Sequence, residues 1–159
     1  MSFNFTFSTE KSAKEKELVS AIEAISLGEN DLIANLSNAS AVIKLAYEGT
    51  NWVGFYLFKE NMLVLGPFQG KPACIRIPLN KGVCGAAASK KETVLVPDVH
   101  KFPGHIACDS ASRSEIVIPI LKDGKLFGVL DMDSPELEYF KESDREILES
   151  TVKAIEKFI

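Results

Sequence analysis

The sequence predicts an α+β fold, a mostly antiparallel central sheet of about six strands flanked by helices at both ends of the chain. Three observations carry this. Apolar residues recur at helical spacing near both termini, the period falls to two through the middle, and an Asp-Gly dipeptide separates two apolar runs as a hairpin turn does.

The first helix is expected over residues 12–27, where Leu18, Ile22 and Ile25 share a face, "SAKE" has the form of a capping box and Gly28 stops the run. A second starts near Asn30–Asp31 and runs through Leu36, Ile43 and Leu45 to Gly49. Strands are expected at "WVGFYLF", "MLVL", "CIRI", "TVLV", "EIVIPIL" and "LFGVLDMD", with a short helix in "AAASK" after "KGVCG". The last two strands form a hairpin across "KDGK". The last helix opens with a second capping box, Ser143 and Glu146, and buries Ile147, Leu148, Val152, Ile155 and Phe158. Residues 97–114, "PDVHKFPGHIACDSASRS", show no period. An irregular stretch beyond about 12–15 residues is uncommon in a compact domain and usually functional, so this one reads as a lid or a site.

Composition bounds the function. A chain of 159 residues with 46% apolar content fits one domain with one core. A net charge of −4 with 18 scattered basic residues argues against a nucleic-acid partner. No apolar run reaches membrane-spanning length, and the first residues lack the basic and apolar regions of a signal peptide, so the expected location is the cytoplasm. Thiols are kept reduced there, and three cysteines is an odd count, so no structural disulfide is expected and any joint role is redox or metal chemistry.

The cysteines fall in three different elements: Cys74 opens a strand, Cys84 starts the short helix, and Cys108 lies in the aperiodic stretch. At a helix N-terminus the Cys84 thiol should feel partial positive charge, which lowers a thiol pKa. Lys101, His105 and Arg113 are near Cys108 in sequence, and any of them can stabilise a thiolate. Local sequence leaves Cys74 as an inert small hydrophobe and allows either Cys84 or Cys108 to be the attacking thiol. "HIAC" places a His and a Cys at ligand-like spacing with His100 nearby, but no Cys-x-x-Cys pair exists, so no metal site and no cofactor is expected. His100 and His105 read as solvated or hydrogen-bonding loop residues.

The acids Glu115, Asp131 and Asp133 end two otherwise apolar strands. Asp131 and Asp133 share a face. A strict two-residue turn at Asp123-Gly124 pairs Ile116 with Asp131 and puts Glu115 on the opposite face. A one-residue bulge instead pairs Glu115 with Asp131 and gathers three carboxylates. Crowded carboxylates raise one another's pKa, so one of them stays protonated as a proton donor; separated, they are solvated strand ends. In "NWVGFYLF", Trp52, Gly54, Tyr56 and Phe58 point one way, and the glycine leaves a slot between the aromatic rings for a small apolar or sulfur-bearing group; the alternative is core packing.

"NWVGFYLF", "LGPFQGKPACIRIPLNKGVCG", "VPDVHKFPGHIACDSASRSEIVIPI" and "GVLDMDSP" together resemble the free methionine-(R)-sulfoxide reductases, enzymes built on a single GAF domain. The resemblance covers residues 30–159, while residues 1–29 match only as a helix. It implies a substrate, free methionine (R)-sulfoxide, and a thiol, sulfenic acid and disulfide cycle recycled by thioredoxin. It implies that Cys108 is the nucleophile and that Cys74 or Cys84 resolves the sulfenic acid. It implies that Glu115, Asp131 and Asp133 bind the amino group and sulfoxide and protonate its oxygen, and that Trp52 and Tyr56 accept the S-methyl group. Cys84, held at the pocket rim by a helix start, is the expected resting partner of Cys108, and a homodimer is expected. The competing readings are a GAF-type small-ligand sensor and a cysteine redox sensor without turnover. The small-ligand sensor would not need the acids and the three thiols.

Overall fold

The computed structural model describes residues 2–159. The helices are α1 (Lys11–Ser26), α2 (Leu32–Ala46), α3 (Gly82–Lys90) and α4 (Glu142–Ile155). The strands are β1 (Trp52–Lys59), β2 (Met62–Gln69), β3 (Arg76–Pro78), β4 (Val94–Val96), β5 (Ser114–Lys122) and β6 (Lys125–Ser134). All six pair antiparallel in the order β3-β2-β1-β6-β5-β4, the α+β arrangement that the two periodicities predict. None of the described helices is long and apolar enough to cross a membrane.

Carboxylates, not serines, start two of the helices. Glu10 accepts from the amides of Ser12 and Ala13, so α1 begins one residue before the expected "SAKE" box. Asp144 accepts from the Lys141 amide, which moves the start of α4 ahead of Ser143. Asp31 caps α2 as expected, but α2 ends at Ala46 and leaves Leu45 exposed. α3 is longer than "AAASK" alone suggests, so Cys84 falls in its first turn.

Period two in β1 divides the molecule into two cores. Val53, Phe55 and Leu57 face α1, α2 and α4, packing against Leu18, Ile22, Leu36, Ile43 and Leu148. Trp52 and Tyr56 face the opposite side, with Val83, Cys84, Ala87 and Val117. The first core anchors the sheet. The second is thinner, covered only by α3 and by the loops before β3 and β5, and the candidate site lies there.

The β5–β6 register is set inside the hairpin. Leu121 pairs with Leu126, but Ile120 pairs with Gly128, so Phe127 is an extra residue in β6. Glu115 therefore faces Asp133, and Val117 faces Asp131. The expected bulge exists but on the other strand, so Glu115 pairs two residues beyond the predicted partner Asp131. Because a two-residue slide preserves the side-chain alternation, Glu115, Asp131 and Asp133 still share one face. Across β1, Trp52 pairs with Asp133 and Gly54 with Asp131. The three acids and both aromatic residues thus stand on the same face of three adjacent strands.

Candidate active site

That face forms the floor of a small cavity of about 40 Å³, lined by Trp52, Tyr56, Cys84, His105, Cys108, Asp109, Glu115, Asp131 and Asp133, with Lys81 and Gly82 at the start of α3. A specific small-molecule pocket usually measures roughly 300–1,000 Å³, so in this state the cavity is closed to a whole amino acid.

At its edge stands a disulfide between Cys74 and Cys108, with Cα atoms 5.5 Å apart, of which Cys108 lines the cavity. This overturns two expectations. Cys74 is not an inert strand residue, and Cys84 is not the resting partner of Cys108; among the described residues Cys84 is the free thiol, and it is buried. The reason is placement. Cys74 lies on the segment entering β3, level with the loop that carries Cys108. The first turn of α3 aims Cys84 inward, where its sulfur donates weakly to Glu115 Oε1 at 3.9 Å. Burial, then the charges of Asp131 and Glu115, push the Cys84 thiol well above its ordinary pKa, outweighing the helix N-terminus expected to lower it.

The aromatic pair holds the Cys74 segment. The Tyr56 hydroxyl donates to the Cys74 carbonyl (2.9 Å), and Trp52 Nε1 donates to the Lys71 carbonyl (3.1 Å). Trp52 stacks on Tyr56 and on Phe68, with centroids 5.8 and 5.2 Å apart. The expected slot over Gly54 is filled, since a Cβ there would lie 2.6 Å from the Trp52 ring. The glycine makes room for the tryptophan itself, and the open space lies beyond the rings, toward the acids.

Sequence reading also missed two tethers of the long loop. The Asn51 side chain donates to Asp109 Oδ2 and Ser112 Oγ, both at 3.1 Å, and pins the half of the loop that follows Cys108. His105, expected to be either solvated or a hydrogen-bonding loop residue, has a side chain only 14% exposed, with Nε2 3.6 Å from Glu115 Oε2. Burial lowers its pKa and favours the neutral ring. His100 is exposed, as expected. Lys101 lines a separate groove with Phe102 and Pro103, and neither it nor Arg113 lines the cavity, so neither takes the thiolate-stabilising role that sequence proximity allows. The spacing His-x-x-Cys, which places both side chains on one short loop, marks His105 in the sequence, whereas Asn51 carries no such signal.

Glu115 and Asp131 are 6% and 7% exposed, and among the described residues no lysine or arginine pairs with them or with Asp133. Loss of hydration, then the charge of Asp133, holds the Glu115 carboxyl well above its usual range. Loss of hydration, then Glu115, does the same to Asp131, and loss of hydration, then Asp131 and Asp109, does so for Asp133. The floor is therefore a cluster of carboxyls whose hold on a proton is strengthened, beside a sulfur pair, a place where a proton can be given to an oxygen while a thiol works nearby.

This cluster costs stability, and pH reveals it. Below about pH 4 the carboxyls are protonated in both folded and unfolded chains. As pH rises, the unfolded chain ionises first, so stability falls by up to about 1.4 kcal/mol per pH unit for each proton retained, until the raised folded pKa is passed. Asp131→Asn removes one such group, whose Oδ1 has no hydrogen-bond partner. The variant should match the parent near pH 4 and exceed its Tm by several degrees near pH 7 in thermal melts; a constant or shrinking difference would contradict the raised pKa.

A model of the GAF domain matches residues 31–159 of the chain. The chain is 48% identical to the free methionine-R-sulfoxide reductase of Saccharomyces cerevisiae, an alignment covering 97% of this chain and 90% of that protein. It is 46% identical to the Escherichia coli protein of the same name, over 86% of this chain and 82% of that one. Its fold superposes with a TM-score of 0.92 on the X-ray structure of free methionine-R-sulfoxide reductase from Neisseria meningitidis in complex with its substrate, at 47% identity over 99% of this chain and 94% of that chain.

Proposed function

The chain belongs to the free methionine-(R)-sulfoxide reductase family, on a GAF domain, and from that premise we propose that it reduces free methionine (R)-sulfoxide through Cys108. The observation that carries the reading is the Cys74–Cys108 disulfide, whose Cys108 lines a cavity floored by three carboxyls with no lysine or arginine among the described residues paired to them.

In the reduced enzyme the Cys108 thiolate attacks the sulfoxide sulfur. Sulfoxide oxygen leaves poorly unless protonated, and the neutral acid of the Glu115, Asp131 and Asp133 cluster supplies that proton. The oxygen ends on Cys108 as a sulfenic acid, and methionine departs with its sulfur reduced. The Cys74 thiol then displaces water from the sulfenic acid and forms the Cys74–Cys108 disulfide. A dithiol reductant of the thioredoxin class returns both thiols by two-electron exchange. Cys84 takes no part in this disulfide and serves the acid wall. The ionised members of the cluster take the substrate ammonium, the cation that the floor lacks, and Trp52 and Tyr56 receive the S-methyl group. Binding needs the cavity to widen, because at about 40 Å³ it is too small for a whole amino acid.

The enzyme acts as a cytoplasmic homodimer in this reading. Exposed Leu27, Ile33 and Leu45 on the helical side support the association, which sedimentation tests.

The decisive assay is thioredoxin-coupled NADPH consumption. Turnover is expected with free methionine (R)-sulfoxide, and none above background with the S epimer or an oxidised protein, because a residue within a chain has no ammonium for the acids and no room under the loop. Comparable rates with an oxidised protein would reject the reading.

A further inference from the structure

We propose that the acid floor doubles as an inhibitory site for a thiophilic divalent cation of the zinc class, held by Cys84 Sγ, a Glu115 oxygen and an Asp131 oxygen. The inhibitory role rests on the proposed function, which puts the substrate ammonium and sulfoxide oxygen in the same space; the cation site does not.

Donor atoms of the three side chains lie within 4.8 Å of one another, and all three residues are buried. A tetrahedral zinc with bonds of about 2.0–2.3 Å needs its donors roughly 3.3–3.8 Å apart, so small rotamer adjustments close the set. The donors come from three different elements, α3, β5 and β6, which hold them without a flexible linker. The combination of one thiol with carboxylates suits zinc and cobalt better than magnesium or calcium, which take oxygen alone.

A second observation points to an occupant. Asp131 Oδ1 is buried with no hydrogen-bond partner, on a residue 7% exposed that lines the cavity. A buried oxygen in that condition costs free energy that a cation recovers. No lysine or arginine among the described residues fulfils that need for the cluster. The cavity of about 40 Å³ accommodates one ion with a coordinated water as the fourth donor. This also gives Cys84 a consequence outside the disulfide cycle.

The disulfide form gives a clean test, because Cys74 and Cys108 are occupied and Cys84 is the free thiol. Cobalt(II) added to the oxidised protein should bind with one equivalent and show thiolate-to-metal charge-transfer absorption, which zinc then displaces. Cys84→Ser should lose that band and weaken zinc at least about 100-fold by calorimetry, since even an outer-shell change costs 10–100-fold. Asp131→Asn should weaken zinc comparably, and the exposed-residue variant His100→Gln should not; thermal melts confirm that each variant is folded. Zinc bound with unchanged affinity by Cys84→Ser, or cobalt bound without the thiolate band, would overturn the site. In the reduced enzyme zinc should raise KM for methionine sulfoxide and leave kcat unchanged, with its inhibition constant at least about 100-fold higher in Cys84→Ser. Inhibition that is not competitive would overturn the inhibitory role. Cation binding as described in a protein that turns over no methionine sulfoxide would support the site and reject the reductase reading.

Discussion

Cys108→Ser is expected to release no methionine at all, even in a single turnover without reductant. The hydroxyl that replaces the thiol cannot become a sulfenic acid, so the substrate oxygen has nowhere to go. Cys74→Ser should behave differently. It retains the attacking thiol, so it should release close to one methionine per enzyme and then stall, because no disulfide forms for a thioredoxin-class reductant to open. Cys84→Ser should both release methionine and cycle, more slowly than the parent, since its sulfur contacts Glu115 and not Cys108. Quantifying methionine released per enzyme, with and without reductant, separates the three. If Cys84→Ser stalls after one turnover and Cys74→Ser cycles freely, the resolving thiol is Cys84 and the Cys74–Cys108 bond is a side state.

The second large effect concerns the acids. Glu115→Gln and Asp133→Asn should each lower kcat/KM by about 10²–10⁴-fold, the usual scale of general acid catalysis. Both amides keep size and most hydrogen bonding but cannot give a proton to the sulfoxide oxygen. The sign of the pH dependence follows from the shifts. Folded pKa values raised above the ordinary carboxyl range extend the proton donor to higher pH than an ordinary carboxyl allows and remove it as pH rises through them. The alkaline limb of the kcat/KM profile should therefore flatten in Glu115→Gln if Glu115 is the donor, and in Asp133→Asn if Asp133 is. Near-parental rates in both variants would return these residues to a binding or structural role.

Activity and stability should oppose each other here. Asp131→Asn is expected to melt higher near neutral pH, whereas the other two amide variants lose the reaction. A site that concentrates buried, like-charged groups gains its chemistry by giving up folding free energy.

The amino-acid sequence determined a good deal by itself. Period two in "WVGFYLF" assigns Trp52 and Tyr56 to one face of the sheet and Val53, Phe55 and Leu57 to the other, because alternation is a property of the extended backbone and needs no knowledge of neighbours. The six strands were legible for the same reason, the four helices from helical spacing and caps, the stretch around Cys108 from its lack of either period, and the motif resemblance pointed to the reductase family. Even the gathering of the acids could be stated as a condition: one bulge, or none.

Long-range contacts decided what remained. Whether Glu115 meets Asp131 or Asp133 depends on which strand of the hairpin carries the extra residue, and Phe127 carries it. Which cysteine meets Cys108 depends on where the segment before β3 passes, held by the Tyr56 hydroxyl on the Cys74 carbonyl. The Cys84 pKa illustrates the general reason. A helix start lowers it locally, but burial beside two carboxyls raises it, and both of those arrive from strands more than 30 residues away in sequence. Desolvation and unscreened charge act through space at a few ångströms, so no spacing along the chain encodes them until the sheet has brought the groups together.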